Sequence, residues 1–196
     1  MKYIIWIIVI VAVGFGVWKL IQTKPDASIP QAQVGDALEE QNENKEINNA
    51  QMTKTQVDNT NVKVAFKGFG PGKVHDGSFG KVTSDLYFVG EALAGNITID
   101  VASLTTDTEK VTTHLKTKDF FDTAKFPTAN FKISAWNNGT VTGVMTIRNI
   151  AKTISFPVAM TNDAYTADFT LNMKEFGIDQ KFANEEIELI ITVPVK

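Results

Sequence analysis

His114-Leu-Lys-Thr-Lys-Asp-Phe-Phe-Asp-Thr-Ala-Lys-Phe-Pro-Thr-Ala-Asn-Phe131 interrupts a run of alternating, strand-like segments. Leu115, Phe120, Phe121, Phe126 and Phe131 stand there among lysines and aspartates, and rings of that size need a cover. Leu115, Lys118, Phe121 and Asp122 fall at helical spacing, and Pro127 stops a helix near Phe126 while opening the extended run Ala129, Phe131, Ile133. The stretch reads as a short amphipathic helix that plugs or lids a β-structure. A helix that merely fills core fits the pattern as well.

The chain alternates in both directions from this insertion. Upstream, Val62, Val64 and Phe66 share one face, as do Leu86 and Phe88, and then Ile97, Ile99 and Val101, with residues 90–95 turning between the second and third runs. Downstream, Ala129, Phe131 and Ile133 lead through the hairpin signal Asn137-Asn138-Gly139 into Val141, Gly143, Met145 and Ile147. Arg148-Asn149 begins another turn. Ile154, Phe156, Val158 and Met160 follow, then Tyr165 to Met173 at every second residue, and last Ile187, Leu189, Ile191, Val193 and Val195. The pattern predicts eight strands, each with one apolar face. Such a set closes into a barrel or stacks as a sandwich, and the pattern leaves both open.

Farther out, residues 3–18 are almost unbroken apolar sequence between Lys2 and Lys19, with Leu20 and Ile21 beyond. That length lies between a signal-peptide core and the ~20 residues that cross a bilayer. The small-residue pairs Ala12/Gly14 and Gly14/Gly16 lie inside the apolar run, so residues 1–21 read as an uncleaved transmembrane signal anchor, a cleaved signal peptide being the alternative. The expected location is membrane-anchored, with the folded part outside the cytoplasm. Residues 22–60, rich in Gln, Asn, Glu, Lys and Thr, read as a flexible, disordered tether, and residues 61–196 as the folded domain.

A net charge of −3 lacks the basic excess that nucleic acid requires. The absence of cysteine excludes disulfides and thiol catalysis. His75 and His114 are too far apart for a zinc motif, so no metal, cofactor or catalytic residue is assigned. Gly68-Phe-Gly-Pro-Gly72 reads as a rim turn, since no helix follows it to hold a phosphate. His75, in a turn-like position, is placed to meet a polar ligand head or a backbone carbonyl. His114, with Lys116 and Lys118, meets an anionic head or solvent. Arg148 and Lys152 read as exposed charges beside a hairpin.

The order His-Leu-Lys-x-x-Asp-Phe-Phe-Asp-x-x-Lys-Phe-Pro-Thr-x-x-Phe at 114–131 closely resembles the signature segment of the YceI-like polyisoprenoid-binding family. Four further landmarks stand in the family's order: Gly72-Lys-Val-His-Asp-Gly77, Ile99-Asp-Val-Ala-Ser-Leu-Thr-Thr-Asp107, Gly143-Val-Met-Thr-Ile-Arg-Asn-Ile-Ala-Lys152 and Asn172-Met-Lys-Glu-Phe-Gly-Ile178. The resemblance implies an all-β, eight-stranded antiparallel closed barrel of lipocalin type with a short helical insertion. It also implies a non-enzymatic protein that binds a polyisoprenoid or similar amphiphilic lipid, a prenylated quinone included. The expected lining joins Leu86, Ile99, Ile133, Met160, Leu171 and Ile191 to the ligand-binding set Phe66, His75, Phe88, His114, Phe120, Phe121, Phe131, Met145, Phe156 and Phe169. Where the family carries arginine and aspartate, this chain has Met173 and Glu175, which weakens a charge-based head contact there. A filled-core adaptor, or an enzyme using His75 or His114 as acid or base, are the alternatives.

Overall fold

The computed structural model describes residues 22–37, 54–89, 92–161, 163–179 and 183–194. Within them the chain forms strands β1 (Gln33–Asp36), β2 (Lys54–Gln56), β3 (Lys63–Gly70), β4 (Lys73–Phe79), β5 (Val82–Val89), β6 (Ala92–Asp100), β7 (Leu104–Thr106), β8 (Thr128–Asn137), β9 (Thr140–Ile147), β10 (Ile150–Pro157), β11 (Ala159–Met160), β12 (Ala164–Asn172) and β13 (Glu186–Pro194). One helix, α1 (Glu109–Lys116), and two 3₁₀ turns, Val101–Ser103 and Met173–Phe176, complete the elements. All eight expected alternations are strands, and β1, β2, β4, β7 and β11 are additional.

The strands do not close into one barrel. They form a seven-stranded antiparallel sheet in the order β1-β10-β9-β8-β6-β5-β2 and a six-stranded one in the order β11-β12-β13-β3-β4-β7. The expected eight-stranded closed barrel is thereby corrected. The chain passes between sheets at corners, through Gly80–Lys81 after β4 and through the 3₁₀ turn Val101–Ser103 between β6 and β7, where Gly80 N–H donates to Ser103 O and Asp100 N–H to Lys81 O. Edge strands of two and three residues, β11 and β7, are too short to carry a ladder around the circumference. The apolar faces of both sheets meet in one core, with Phe169, Phe176, Leu86, Leu104, Ile154 and Leu171 essentially without solvent contact.

Two hairpins follow the sequence signals. Asn138 and Gly139 take φ of 49° and 76°, and Arg148 and Asn149 take 52° and 61°, as two-residue turns between twisted strands require. Gly95 sits inside β6 at φ 118°, where an added Cβ would lie 1.9 Å from the carbonyl oxygen of Asp85. The β5–β6 ladder runs on through Leu86↔Gly95 to Val89↔Ala92, so residues 92–95 of the predicted 90–95 turn are strand.

The expected tether of residues 22–60 supplies structure at both its ends. Gln22 bridges Pro71 at the β3–β4 turn, and the Thr23 hydroxyl donates to Gly70 O at 2.7 Å. The segment then crosses the outer face of the six-stranded sheet, where Asp26 N–H donates to Glu188, and pairs with β12 through Ala32 N–H to Thr170 O and Thr170 N–H to Pro30 O, each 2.9 Å. It ends as β1 on β10, across to the other sheet. Residues 22–36 therefore strap the two sheets together. Under the strap Glu188 is 3% exposed and accepts from Lys67 Nζ at 2.8 Å. Among the described residues no helix is long and apolar enough to cross a membrane, so the transmembrane helix is not found there; the predicted anchor, residues 1–21, lies outside the described residues.

Candidate functional site

The insertion does not fold as its spacing predicts. The helix runs earlier, over Glu109–Lys116, with Thr108 as its N-cap and His114 and Lys116 in its last turn, where cations suit the helix dipole. Thr112, buried, accepts through Oγ1 from Thr106 N–H at 2.8 Å and pins the helix to β7. Residues 117–126 are successive turns: Phe121 N–H donates to Leu115 O, Asp122 N–H to Thr117 O and Phe126 N–H to Asp122 O. A turn lets Phe120 and Phe121, adjacent in sequence, both face the interior, which adjacent positions on a helix cannot do.

These elements roof a cavity of about 200 Å³ at one end of the sandwich. Its walls are Phe66, Gly68, Phe69 and His75 from the β3–β4 hairpin, Val111, His114, Leu115, Phe120 and Phe121 from the insertion, and Met173, Ile178, Asn184, Glu185 and Ile187 from the β12–β13 connection. Phe66, Phe121, Met173 and Ile187 also bound a second cavity of about 50 Å³, lined further by Phe79, Ile99, Phe131, Met145, Ile147, Leu171 and Leu189. A third, of about 30 Å³, lies beyond Phe131 among Leu86, Ile133, Val141, Phe156, Ile191 and Val193.

Of the three linings, only that of the mouth carries histidine or carboxylate side chains. His75, on β4 rather than in a turn, presents Nδ1 to Asp107 Oδ1 at 2.8 Å, and Lys73 Nζ holds Asp107 Oδ2 at 2.9 Å. Hydrogen bonds from Lys73 and then His75 hold the Asp107 carboxyl below the usual carboxylate range. With Asp107 ionised, a neutral His75 carries its proton on Nδ1 and leaves Nε2 as an acceptor. His114, largely exposed, meets the Phe120 ring edge-on at 4.9 Å. Arg148 is not a free surface charge: it donates to Gly177 O at 2.8 Å and lies 5.8 Å from the centre of the Phe126 ring, tying the β9–β10 turn to the insertion. Lys152 likewise pairs with Asp36 of the strap at 2.8 Å. Among the described residues no group of acidic, histidine or cysteine side chains is placed to hold a metal ion.

Of the predicted ligand-binding residues, Phe66, His75, His114, Phe120 and Phe121 come together at the mouth, while Phe131 and Met145 line the second cavity. Phe156 bounds only the third, and Phe169 lies stacked behind it. Phe88 packs on Tyr165 at 5.4 Å, outside these three linings. Met160, expected inside, is 69% exposed: the alternation still brings Val158 to the third cavity, but Met160 stands at the end of the two-residue edge strand β11, past the core. Val111, Met173, Ile178 and Asp107 were not foreseen. Val111 and Leu115 were legible as an i, i+4 pair after the cap Thr108; nothing in sequence links His75 to Asp107 across 32 residues.

Residues 54–195 match the family model described as YceI-like domain. Protein YceI of Escherichia coli O157:H7 is 28% identical over 114 residues, covering 50% of this chain and 60% of that protein. A UPF0312 protein of Pseudomonas syringae pv. tomato is 32% identical over 103 residues, covering 45% and 54%. The chain thus spans little more than half the length of these relatives. Among solved structures, BcnA of Burkholderia cenocepacia aligns with a TM-score of 0.61 at 24% identity, over 71% of this chain and 99% of that one. A polyisoprenoid binding domain from Saccharophagus degradans aligns with a TM-score of 0.57 at 9% identity, over 74% and 98%. At these identities the likeness speaks to the fold alone.

Proposed function

The chain belongs to the YceI-like family, and from that membership together with the apolar chamber we propose that it binds an amphiphilic lipid, tail inward. The observation that carries the reading is the gradient across two cavities that share Phe66, Phe121, Met173 and Ile187 as walls: acceptor and donor groups of His75, Asn184 and Glu185 at the mouth, and side chains such as Met145, Leu171 and Leu189 below. Burying an apolar tail there demands no hydrogen bonds and gains roughly 25 cal/mol per Å² removed from water. Met173 and Met145 add unbranched side chains that adapt to a tail's shape. The name of the Saccharophagus degradans neighbour supports a polyisoprenoid as the tail. A prenylated quinone fits the same arrangement, its ring oxygens at the mouth. The same proposal places the protein at a membrane outside the cytoplasm, supported by the apolar run of residues 3–18.

No bond-making step is part of the reading. His75 has Asp107 as its partner, but two hydroxyls of the same region are otherwise engaged, Thr106 Oγ1 with Thr108 O and Thr112, and Thr23 Oγ1 with Gly70 O. Solvent extraction and mass spectrometry of the purified full-length chain tests the proposal. A prenyl-tailed lipid enriched over bulk phospholipid is the expected result. Absence of lipid, together with no thermal stabilisation by farnesol or geranylgeraniol, overturns it.

A further inference from the structure

The three cavities lie in series along β13: Ile187 faces the first two, Leu189 the second, and Ile191 and Val193 the third. At the strand's rise, Ile187 to Leu189 is about 7 Å of depth, and Ile187 to Val193 about 20 Å. Between the second and third cavities the bore is crossed by rings. Phe131 and Phe156, from the seven-stranded sheet, have centroids 5.4 Å apart, and Phe156 stacks on Phe169 of the six-stranded sheet at 4.1 Å with planes 8° apart. All three rings are buried, at 5%, 3% and 0% exposure. Gly143 makes room for the first of them. A Cβ there would lie 2.7 Å from the Phe131 ring, so a side chain at that position would drive the ring out of the bore's cross-section.

We propose that Phe131, Phe156 and Phe169 form a floor that sets the length of tail the chamber accepts. This rests on the tail-inward reading above. The cavity beneath the floor, about 30 Å³, has room for about two water molecules, too little for a branched hydrocarbon end. A tail entering past Phe121 therefore ends against Phe131, at the level of Leu189. Longer tails leave their excess at the mouth, in water or in a membrane, where added carbons contribute little affinity. Phe131 and Phe156 are thus determinants of ligand length rather than surfaces along which a tail runs.

The test uses the full-length chain and the series geraniol, farnesol, geranylgeraniol and solanesol, with affinity read by competition against a fluorescent prenyl probe. In the wild-type protein affinity is expected to rise along the series and then level off. In Phe131→Ala, which joins the second and third cavities, levelling moves to a longer member, with that member bound on the order of tenfold tighter than by wild type. Phe131→Leu, which keeps an apolar filling and guards against a folding defect, is expected to shift the plateau the same way. A plateau at the same member in wild type and both variants overturns the floor while leaving lipid binding intact. If no member of the series binds wild type, the lipid reading falls and the floor with it.

Discussion

Gly77 of β4 lies under the ring of Phe66, its cross-strand partner, and an added Cβ would fall 2.2 Å from Phe66 Cζ. The ring cannot yield without entering the mouth cavity that it lines. Gly77→Ala should therefore cost about 1–3 kcal/mol in urea unfolding. Gly68→Ala, on the neighbouring strand with nothing within 4 Å of its added methyl, should stay within roughly 0.5 kcal/mol. Charge gives a second residue-scale prediction. Partial desolvation of its exposed side chain, and then the neighbouring carboxylate of Glu188, raise the Asp168 pKa above the usual carboxylate value. A raised carboxylate binds its proton more tightly in the folded state than in the unfolded state, so folding loses stability as pH rises from the ordinary value through the raised one. Asp168→Asn removes that loss: its melting temperature should exceed wild type at neutral pH, and the gain should vanish in acid below the ordinary carboxylate pKa. A gain that is unchanged in acid would assign the effect to something other than ionisation.

At the scale of elements, the strap and the insertion were the least legible parts of the sequence, and for different reasons. The strap's composition is polar because its interactions are largely backbone ladders and side-chain hydrogen bonds, among them Thr23 to Gly70, Gln31 to Glu186 and Lys152 to Asp36, so no apolar period announces it. Only Ala32 is buried between β10 and β12. The insertion announced its apolar rings but misplaced its helix, because Phe120 and Phe121 look inward from turns that no periodicity encodes. The β-strands were legible wherever one face is buried; β4 was not, since its side chains alternate between exposed and half-buried. Beneath the strap, Glu188 depends on Lys67, which is itself 39% exposed. Lys67→Met should cost about 3 kcal/mol at neutral pH by leaving a buried carboxylate with only the Asp26 N–H, whereas the double variant with Glu188→Gln should recover most of it. Denaturant unfolding of the two variants decides this. For the insertion, Phe121→Ala should weaken farnesol binding more than it weakens the fold. Phe169→Ala, a fully buried ring, should cost about 3–5 kcal/mol in the absence of ligand.

Taken whole, the molecule is a sandwich whose two sheets hold an apolar bore open at the insertion end and blocked partway by aromatic rings. Pattern could not choose between barrel and sandwich, because closure depends on how long the edge strands run and on where the chain crosses corners, and neither leaves a period in the sequence. The mouth itself was half legible: the sequence supplied His75, Phe120 and Phe121, while Asp107 and Met173 arrive there only through tertiary folding. The strap fixes Gln22 at the β3–β4 turn, beside the mouth and away from the end where Met160 is exposed. Tail-inward binding is tested most directly by photo-crosslinking the full-length chain with a farnesol analogue that carries a diazirine at the tail's end, and mapping the modified residues by mass spectrometry. The adducts should fall on Met145, Leu171 or Leu189, above the ring floor. Adducts confined to the outer surface, such as Val74 or Met160, would contradict the account.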